Sequence, residues 1–498
     1  MAATPDRTYY SVGALGADDY KYICHNNNLK NLVAGLEGRV FGVLKNGALV
    51  PPPRPLAGVF SRIMAPVKSQ LCRNISPVKC LSVREFVDQA PACKRKVYQR
   101  AAQQFVEWGV RPCDWKVKTF VKFEKLLLKN KVMVPRVIQP RSPVYSVALG
   151  RYTRAIEHDL YIILGNLWGE GGTFVPTVMK GLTPEEVANE FAEGWRKFRK
   201  PVAIGLDASR FDQHVSVDAL SWEHGIYERY FPGDVELQSL LKKQLRNQGV
   251  AYIEGKRVTY KTEGCRMSGD MNTGLGNCLL MCSMVWEYCR SIGLKPGTDC
   301  RLYNNGDDCV LILEQCNLSK LVGLDQWFLQ LGFTMEVEEP VYELEKVVFC
   351  QAQPIQTPSG WVMVRQLNAI SKDSLCLLDK NSVRAWMHAV GVGGMALAGD
   401  IPLYHALYSK YRECGRASRV AQSKLLADSG FFRAALKSRR PIGVSDSTRL
   451  SFYRAFGVTP DQQMAIEDEV TKLDPMYLRW DLLVDQFQPG VPLPGKKL

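Results

Sequence analysis

Long apolar runs are missing from this chain of 498 residues: no stretch of about 18 apolar residues occurs, and the longest candidate, Val390 to Ala398, is interrupted by glycines. No membrane-spanning helix is therefore expected, and any membrane attachment must be peripheral or supplied by a partner. Histidine is scarce, with six residues, and no Cys-x-x-Cys pair occurs among the 15 cysteines, so zinc-finger patterns are excluded. No Gly-x4-Gly-Lys-Ser/Thr loop is present, which argues against a built-in helicase motor. The cysteine count is odd and no secretory signal precedes it, so reduced thiols are expected rather than a disulfide scaffold. Cys278, Cys282 and Cys289, at near-helical spacing, read as small core residues. Internal repeats and long low-complexity segments are also absent.

What remains is the composition of a folded protein, 46% hydrophobic and 23% charged, on a chain long enough for several packed lobes. Lys and Arg number 64 against 50 Asp and Glu, a net charge of +14, which favours polyanionic partners such as nucleic acid or acidic membrane surfaces. Charge alone does not choose between these partners and simple solubility.

Residues 1 to about 60 read as an N-terminal extension containing an extended connector, Pro51-Pro52-Pro53-Arg54-Pro55. A helical pattern over Val83 to Trp108 carries Lys94, Arg95, Lys96 and Arg100, on a face that is either solvated or in contact with RNA. Trp115 to Arg141 is denser in cations: Lys116, Lys118, Lys122, Lys125, Lys129, Lys131, Arg136 and Arg141 alternate with Phe120, Val121, Phe123 and Val134. Crowded cations on ordered strands repel one another, so such a face suits a path for phosphates. Pro201 to Leu206 reads as a buried strand, residues 219 to 250 as helical and Val258 to Tyr260 as extended. A polar loop at Gly264 to Gly269 then leads into a helix from Thr273 to Cys289. Arg301 to Tyr303 and Cys309 to Leu313 flank Asn304-Asn305-Gly306-Asp307, a strong hairpin signal. Leu318 to Leu331 reads as helix, Glu345 to Gln351 as strand, and the chain beyond about 366 as a helical lobe rich in Lys410, Arg412, Arg416, Arg419, Lys437, Arg439 and Arg440.

Two places concentrate carboxylates. Asp207 and Asp212 follow the strand that ends at Leu206, and Asp307-Asp308 sits at the hairpin tip. An Asp pair in a turn is ordinarily structural, since Asp is a common turn residue. Together with Asp207 it meets the need of hard divalent cations for carboxylate oxygens on rigid elements, provided the two strands are neighbours. A pair of Mg²⁺ ions about 4 Å apart suits phosphoryl chemistry in which charge develops on both attacking and leaving oxygens. Between the two places, Ser268-Gly269 through Asn277 puts hydroxyl and amide groups on a Gly-rich loop entering a helix, a surface suited to sugar and backbone recognition.

Asp207 and Asp212, then Ser268-Gly269 with Thr273 and Asn277, then Gly306-Asp307-Asp308 resemble motifs A, B and C of positive-strand RNA virus polymerases in order and spacing. Pro135-Arg136-Val137-Ile138-Gln139-Pro140-Arg141 resembles motif F, and Phe349-Cys350-Gln351 resembles motif E. The wording is most similar to the tombusvirus-like polymerases of plant viruses and their umbravirus relatives, over roughly residues 90 to 365. The resemblance implies an α+β right-hand polymerase: N-terminal extension and fingertip elements at 1–90, fingers at 91–200 and a palm of antiparallel sheet and flanking helices at 201–365. A fingers insertion would lie near 220–260, and the helical thumb at 366–498. It makes Asp207, Asp307 and Asp308 the catalytic ligands of two Mg²⁺ ions, with Mn²⁺ as an alternative. Asp212, Ser268, Gly269, Thr273 and Asn277 would then read the ribose, a 2′ hydroxyl being both donor and acceptor. Lys122, Lys125, Arg136 and Arg141 would line the entry tunnel and meet the triphosphate, with Arg136 the leading choice.

The acidic stretch after Gly332, with Glu336, Glu338 and Glu339, departs from motif D by lacking a lysine to act as general acid, and Lys346 is a weak substitute. The resemblance further implies template and product RNA, nucleoside triphosphates, a viral auxiliary replication protein and host membranes as partners. It places the chain at membrane-associated replication complexes in the host cytoplasm, as the polymerase portion of a longer product. Two competing readings are a catalytically silent RNA-binding scaffold, which does not explain the retained carboxylates, and a reverse transcriptase, which the ribose-reading set argues against.

Overall fold

The run Val202 to Leu206 is apolar without interruption, and its residues are buried on both faces. A strand of that kind must be sandwiched, and the computed structural model shows what covers it. The structure describes residues 10–13, 22–45, 47–128, 133–419 and 442–473. Strands β1 (Pro201–Ala208), β2 (Cys300–Asn305), β3 (Asp308–Glu314) and β4 (Met335–Val337) form an antiparallel sheet in the order β2-β3-β1-β4. Val202, Ile204 and Leu206 point with Leu302, Leu311 and Leu313 into the largest core cluster. Helices α1 (Pro143–Leu167), α2 (Val217–Tyr230) and α3 (Thr273–Ser291) supply the other side of that cluster. On the opposite face Ala203, Tyr303, Val310 and Ile312 pack against Phe191, from the helix Pro184–Lys197, and against Phe349. Each fully buried aliphatic side chain here contributes about 1.5–3 kcal/mol, so both faces hold the sheet in register.

The expected α+β composition holds, and the hairpin at residue 306 forms as the pattern predicted. Other boundaries differ for identifiable reasons. The helix expected over 219 to 250 breaks at Phe231-Pro232-Gly233, where Gly233 takes a φ of 74°, and Asp234 caps a second helix, Val235–Leu245. The remainder is a strand, Arg246–Ile253, which alternates buried and exposed residues and pairs with Lys256–Glu263. In place of the strand expected at Glu345 to Gln351 there is a 3₁₀ turn at Leu344–Lys346, and then a tight bend in which Cys350 and Gln351 both take positive φ. That bend feeds the hairpin Ala352–Thr357 with Gly360–Arg365. The helical pattern of 83 to 108 is split by Pro91 into Val83–Asp88 and Ala92–Trp108, and that of 318 to 331 by Gly323 at φ 84°. All fifteen cysteines are free thiols, and Cys278, Cys282 and Cys289 are buried on α3 as expected.

Beyond residue 366 the described chain is mainly helical: Val383–Ala398, Tyr404–Cys414, Asp446–Phe456 and Pro460–Lys472 are its longer helices. Lys129, Lys131, Lys437, Arg439 and Arg440 lie outside the described residues. The N-terminal segment ties distant parts together. Tyr22–Ile23 pairs with Leu126–Leu127 of the basic tract, and Tyr10–Ser11 pairs with Leu375–Cys376 of the C-terminal region. Leu375 and Leu127 share a small core with Tyr22 and Cys24. Among the described residues no helix is long and apolar enough to cross a membrane.

Candidate active site

Two carboxylates meet because of register. In the antiparallel pair β3 and β1, Asp308 lies opposite Asp207, so both project from the same face. Asp307 follows Gly306 in the two-residue turn joining β2 to β3, and Gly306 takes the positive φ, 86°, that such a turn demands at its first central position. Burial, and then the carboxylates of Asp212 and Asp207, raise the Asp307 carboxyl above its ordinary range. Asp308 is raised too, by burial and by its two acidic neighbours, against the backbone N–H of Cys350, which donates to its Oδ2 at 2.9 Å. A further acid, Glu338, lies over Gly205, where any Cβ would collide with its carboxylate. Burial, Asp308 and Asp207 raise it in turn.

Beside it, the side chains expected to read a ribose form one network, with a single exception. Ser268 Oγ donates to Asp212 Oδ2 at 2.8 Å, and Asn277 Nδ2 donates to Asp212 Oδ1 at 3.0 Å. Arg266 Nε donates in turn to Asn277 Oδ1 at 2.9 Å, and Arg266 is held by a fully buried ion pair with Glu223. Thr273 is the exception: it opens α3, and its hydroxyl donates to the Met267 carbonyl at 3.2 Å. Gly269 takes a φ of 122°, and a Cβ there would stand 3.1 Å from Pro140 Cα, so the loop needs glycine to pack on the basic tract. Arg266 and Glu223 were not picked out in the sequence; a lone Glu on a helix carries no sign of a partner 43 residues away.

The basic tract divides. Arg136 lines a cavity of about 390 Å³ together with Asp207, Asp212, Ser268 and Asp307. Lys122 lies next to it, its ammonium 2.8 Å from Glu124, which also pairs with Arg136 at 3.3 Å. The structure does not bring Arg141 or Lys125 into the cavity wall, which corrects the expected tunnel lining. Arg141 is buried against Asp270 at 2.9 Å and also donates to Asn247 and the Trp115 carbonyl, so its fork is used up in holding the loop Ser268 to Asn272. The Lys125 ammonium is enclosed at the base of the C-terminal region, donating to the Lys372 carbonyl at 2.8 Å and lying 5.5 Å from the Trp386 ring. In their place the cavity has Arg39 and Arg210. Burial and the neighbouring Arg210 and Arg136 bring the Arg39 guanidinium down to about 10, and its Nε is buried without a hydrogen-bond partner. Arg210 sits between Asp207 and Asp212 in the sequence and could have been noticed; Arg39 could not, because only the tertiary fold carries the N-terminal extension to this wall.

Carboxylate and guanidinium side chains thus line one cavity, and comparison with known proteins gives the family of the chain. Residues 2–476 match the family model described as viral RNA dependent RNA polymerase. The chain belongs to that family. It is 41% identical over 476 residues to the RNA-directed RNA polymerase of cucumber necrosis virus, covering 95% of this chain and 57% of the relative. It is 43% identical over 464 residues to that of carnation mottle virus, covering 91% and 59%. With the polymerase of tomato bushy stunt virus (strain Cherry) it shares 41% over 476 residues, 95% and 57% of the two chains. The expected kinship with tombusvirus-like polymerases is therefore borne out, and the chain spans about three-fifths of the length of these relatives.

Members of a polymerase family are expected to use divalent metals, and the donors here fit hard cations in kind: three carboxylates on a strand end and a tight turn, two of which, Asp307 and Asp308, are raised by burial and by neighbouring carboxylates. Among the described residues, no three His, Cys, Asp or Glu side chains already stand close enough to hold an ion by themselves. Carboxylates that repel need further ligands, and Mg²⁺ usually keeps water and substrate phosphate in its shell. Lys346, the weak candidate for a proton donor, directs its ammonium at the Ala455 carbonyl, 3.5 Å away.

Proposed function

We propose that this polypeptide is the RNA-directed RNA polymerase of a positive-strand RNA virus, extending an RNA strand by two-metal-ion nucleotidyl transfer. The observation that carries the proposal is the pairing of Asp308 with Asp207 at one end of a sheet, with Asp307 in the adjoining turn, beside a cavity whose other wall is Arg39, Arg136 and Arg210. Anionic and cationic walls face one gap, which fits a triphosphate accompanied by metal ions. Asp207, Asp307 and Asp308 would hold the two Mg²⁺ ions, which when bound neutralise charge on the attacking and leaving oxygens. The three guanidiniums would bind the triphosphate, their forks matching its oxygens. Asp212, fixed by Ser268 and Asn277, would accept from the 2′ hydroxyl, and Ser268 would exchange hydrogen bonds with it. A deoxyribonucleotide would leave these half-buried groups short of a partner. Base selection needs no protein code, because pairing with the template provides it.

In this reading residues 201–365 are the palm, 91–200 the fingers, 366–498 the thumb, and 1–90 an extension that completes the fingertips. The reading extends to work alongside an auxiliary viral protein at membrane-associated complexes in the host cytoplasm. The test is ribonucleotide incorporation on an RNA template with Mg²⁺, beside Asp307→Asn and beside deoxyribonucleotides. Incorporation of ribonucleotides by wild type, lost in the variant by on the order of 100-fold or more, is expected. Equal activity in the variant would overturn the metal assignment, preference for deoxyribonucleotides would make the protein a reverse transcriptase, and RNA binding without incorporation would make it a scaffold.

A further inference from the structure

A second cation stands on the other flank of the catalytic turn. Residues 177 to 180 run along the outer edge of β2: Val178 bridges Asn304 in parallel, Asn304 N–H donates to the Thr177 carbonyl at 2.8 Å, and Met179 N–H donates to the Asn304 carbonyl at 2.8 Å. That pairing delivers Lys180 to the level of the turn. Its ammonium donates to Asn305 Oδ1 at 2.8 Å. It also lies 3.8 Å from the point where a Cβ on Gly306 would stand and 3.9 Å from the same point on Gly274, the second residue of α3. Both neighbours are bare backbone, which leaves room for a ligand to approach. Lys180 is half-buried, and among the described residues it has no carboxylate within ion-pair distance. A partly desolvated ammonium has three donors to satisfy, and one neutral amide oxygen uses only one of them.

The chemistry assigns a direction to each flank. In nucleotidyl transfer the attacking and leaving oxygens lie roughly in line across the α-phosphate. The triphosphate, drawn to Arg39, Arg136 and Arg210 on the β1 side, leaves toward that wall. The strand supplying the 3′ hydroxyl must then reach the turn from the opposite side, over β2, where Lys180 stands. We propose that Lys180, set between Asn305, Gly306 and Gly274, binds the last internucleotide phosphate of the growing RNA strand and so holds its 3′ end at the turn. This rests on the polymerase reading.

The experiment uses full-length protein stalled on a primer–template, and compares wild type, Lys180→Met and Lys180→Arg. Each is assayed with an all-phosphate primer, with a primer whose last internucleotide linkage is an uncharged methylphosphonate, and with a template neutralised at the facing linkage. Lys180→Met should release the all-phosphate primer about tenfold faster than wild type, the size expected for a charge-assisted hydrogen bond, with the KM for the incoming nucleotide unchanged. Wild type should release the methylphosphonate primer about as fast, a readout that needs no variant to fold. On that primer the difference between wild type and Lys180→Met should vanish, and Lys180→Arg should stay near wild type throughout. Equal release of the all-phosphate primer by wild type and Lys180→Met overturns the proposal. A difference that survives primer neutralisation but disappears on the neutralised template overturns it in favour of the template strand. Wild type that extends no primer overturns the polymerase reading itself, whereas extension with unchanged release overturns the role of Lys180 alone.

Discussion

Burial and the carboxylates of Asp212 and Asp207 hold the Asp307 carboxyl above its ordinary range, and this has a consequence for stability. A carboxyl whose folded pKa exceeds its unfolded value contributes its full stability below the unfolded pKa, and that contribution is lost as pH rises through the folded value. As pH rises towards neutrality Asp307 therefore works against the fold. Asp307→Asn should melt no lower than wild type in metal-free buffer, and Mg²⁺ should raise the melting temperature of wild type more than that of the variant. A melting temperature several degrees lower would mean that Asp307 is a structural turn residue. Arg39 gives the companion case. Its crowding by Arg210 and Arg136, and its unpartnered Nε, are strains that a bound anion would relieve. Arg39→Gln should raise the KM for ribonucleotides by about tenfold without lowering the melting temperature. A fall in stability with unchanged KM would show that Arg39 only packs the N-terminal segment against the basic tract.

At the scale of elements, two glycines separate conformational demand from crowding. Gly306 takes a φ of 86° with nothing nearer than 3.8 Å to an added Cβ, whereas Gly269 takes 122° and would press its Cβ on Pro140 at 3.1 Å. Gly306→Ala should cost about 1–2 kcal/mol of backbone strain. Gly269→Ala should cost more, because the Ser268 loop must also shift away from the basic tract, and denaturant midpoints would rank the two. The reverse order would mean that the loop after Ser268 yields easily. The same elements show what could be read in advance. The hairpin and its carboxylates were legible because Asn305-Gly306 between apolar runs is a local signal, and so was β1, whose apolar run is continuous. The strand Arg246–Ile253 was not, because helix-favouring residues from Val235 to Leu245 run straight into it and its alternation becomes visible only beside its partner, Lys256–Glu263. Lys125 and Arg141 read as phosphate ligands because sequence shows that a cation is present but not which carbonyl or carboxylate will claim it. Arg39 entered the site through contacts made across the whole chain.

The whole molecule closes through Lys125. Leu126–Leu127, next in the chain, pair with Tyr22–Ile23, whose neighbour in space is Leu375, while the Lys125 ammonium is enclosed near Asp373, Lys372 and Arg365. Burial is the main reason its pKa falls to about 8, with Asp373 opposing and Lys372 and Arg365 adding to the fall. In the unfolded chain a lysine titrates near 10.4. Between those values the unfolded state binds more protons, so this group makes the fold more stable as pH rises from about 8 towards 10, and at pH 7 its full penalty is present. Buried thiols act in the other direction. Cys278, raised to about 11, and Cys376, raised to about 12, stay protonated in the fold while the unfolded thiols ionise, which lowers stability over the same interval. The wild-type curve alone therefore cannot isolate Lys125, but the difference from Lys125→Met removes the shared contribution of Cys278, while the Cys376 thiol, which Lys125 draws down, rises further in the variant and narrows the gap in the same direction. Methionine keeps the stem packed near Trp386 and leaves Asp373 its pair with Arg365. Lys125→Met should be at least as stable as wild type at pH 7, with the gap narrowing as pH rises from 7 to 9.5. Melting temperatures across that range decide it: a constant gap would mean that the ammonium is charged throughout and held by Asp373, and a less stable variant at pH 7 would mean that the charge itself fastens the basic tract to the C-terminal region.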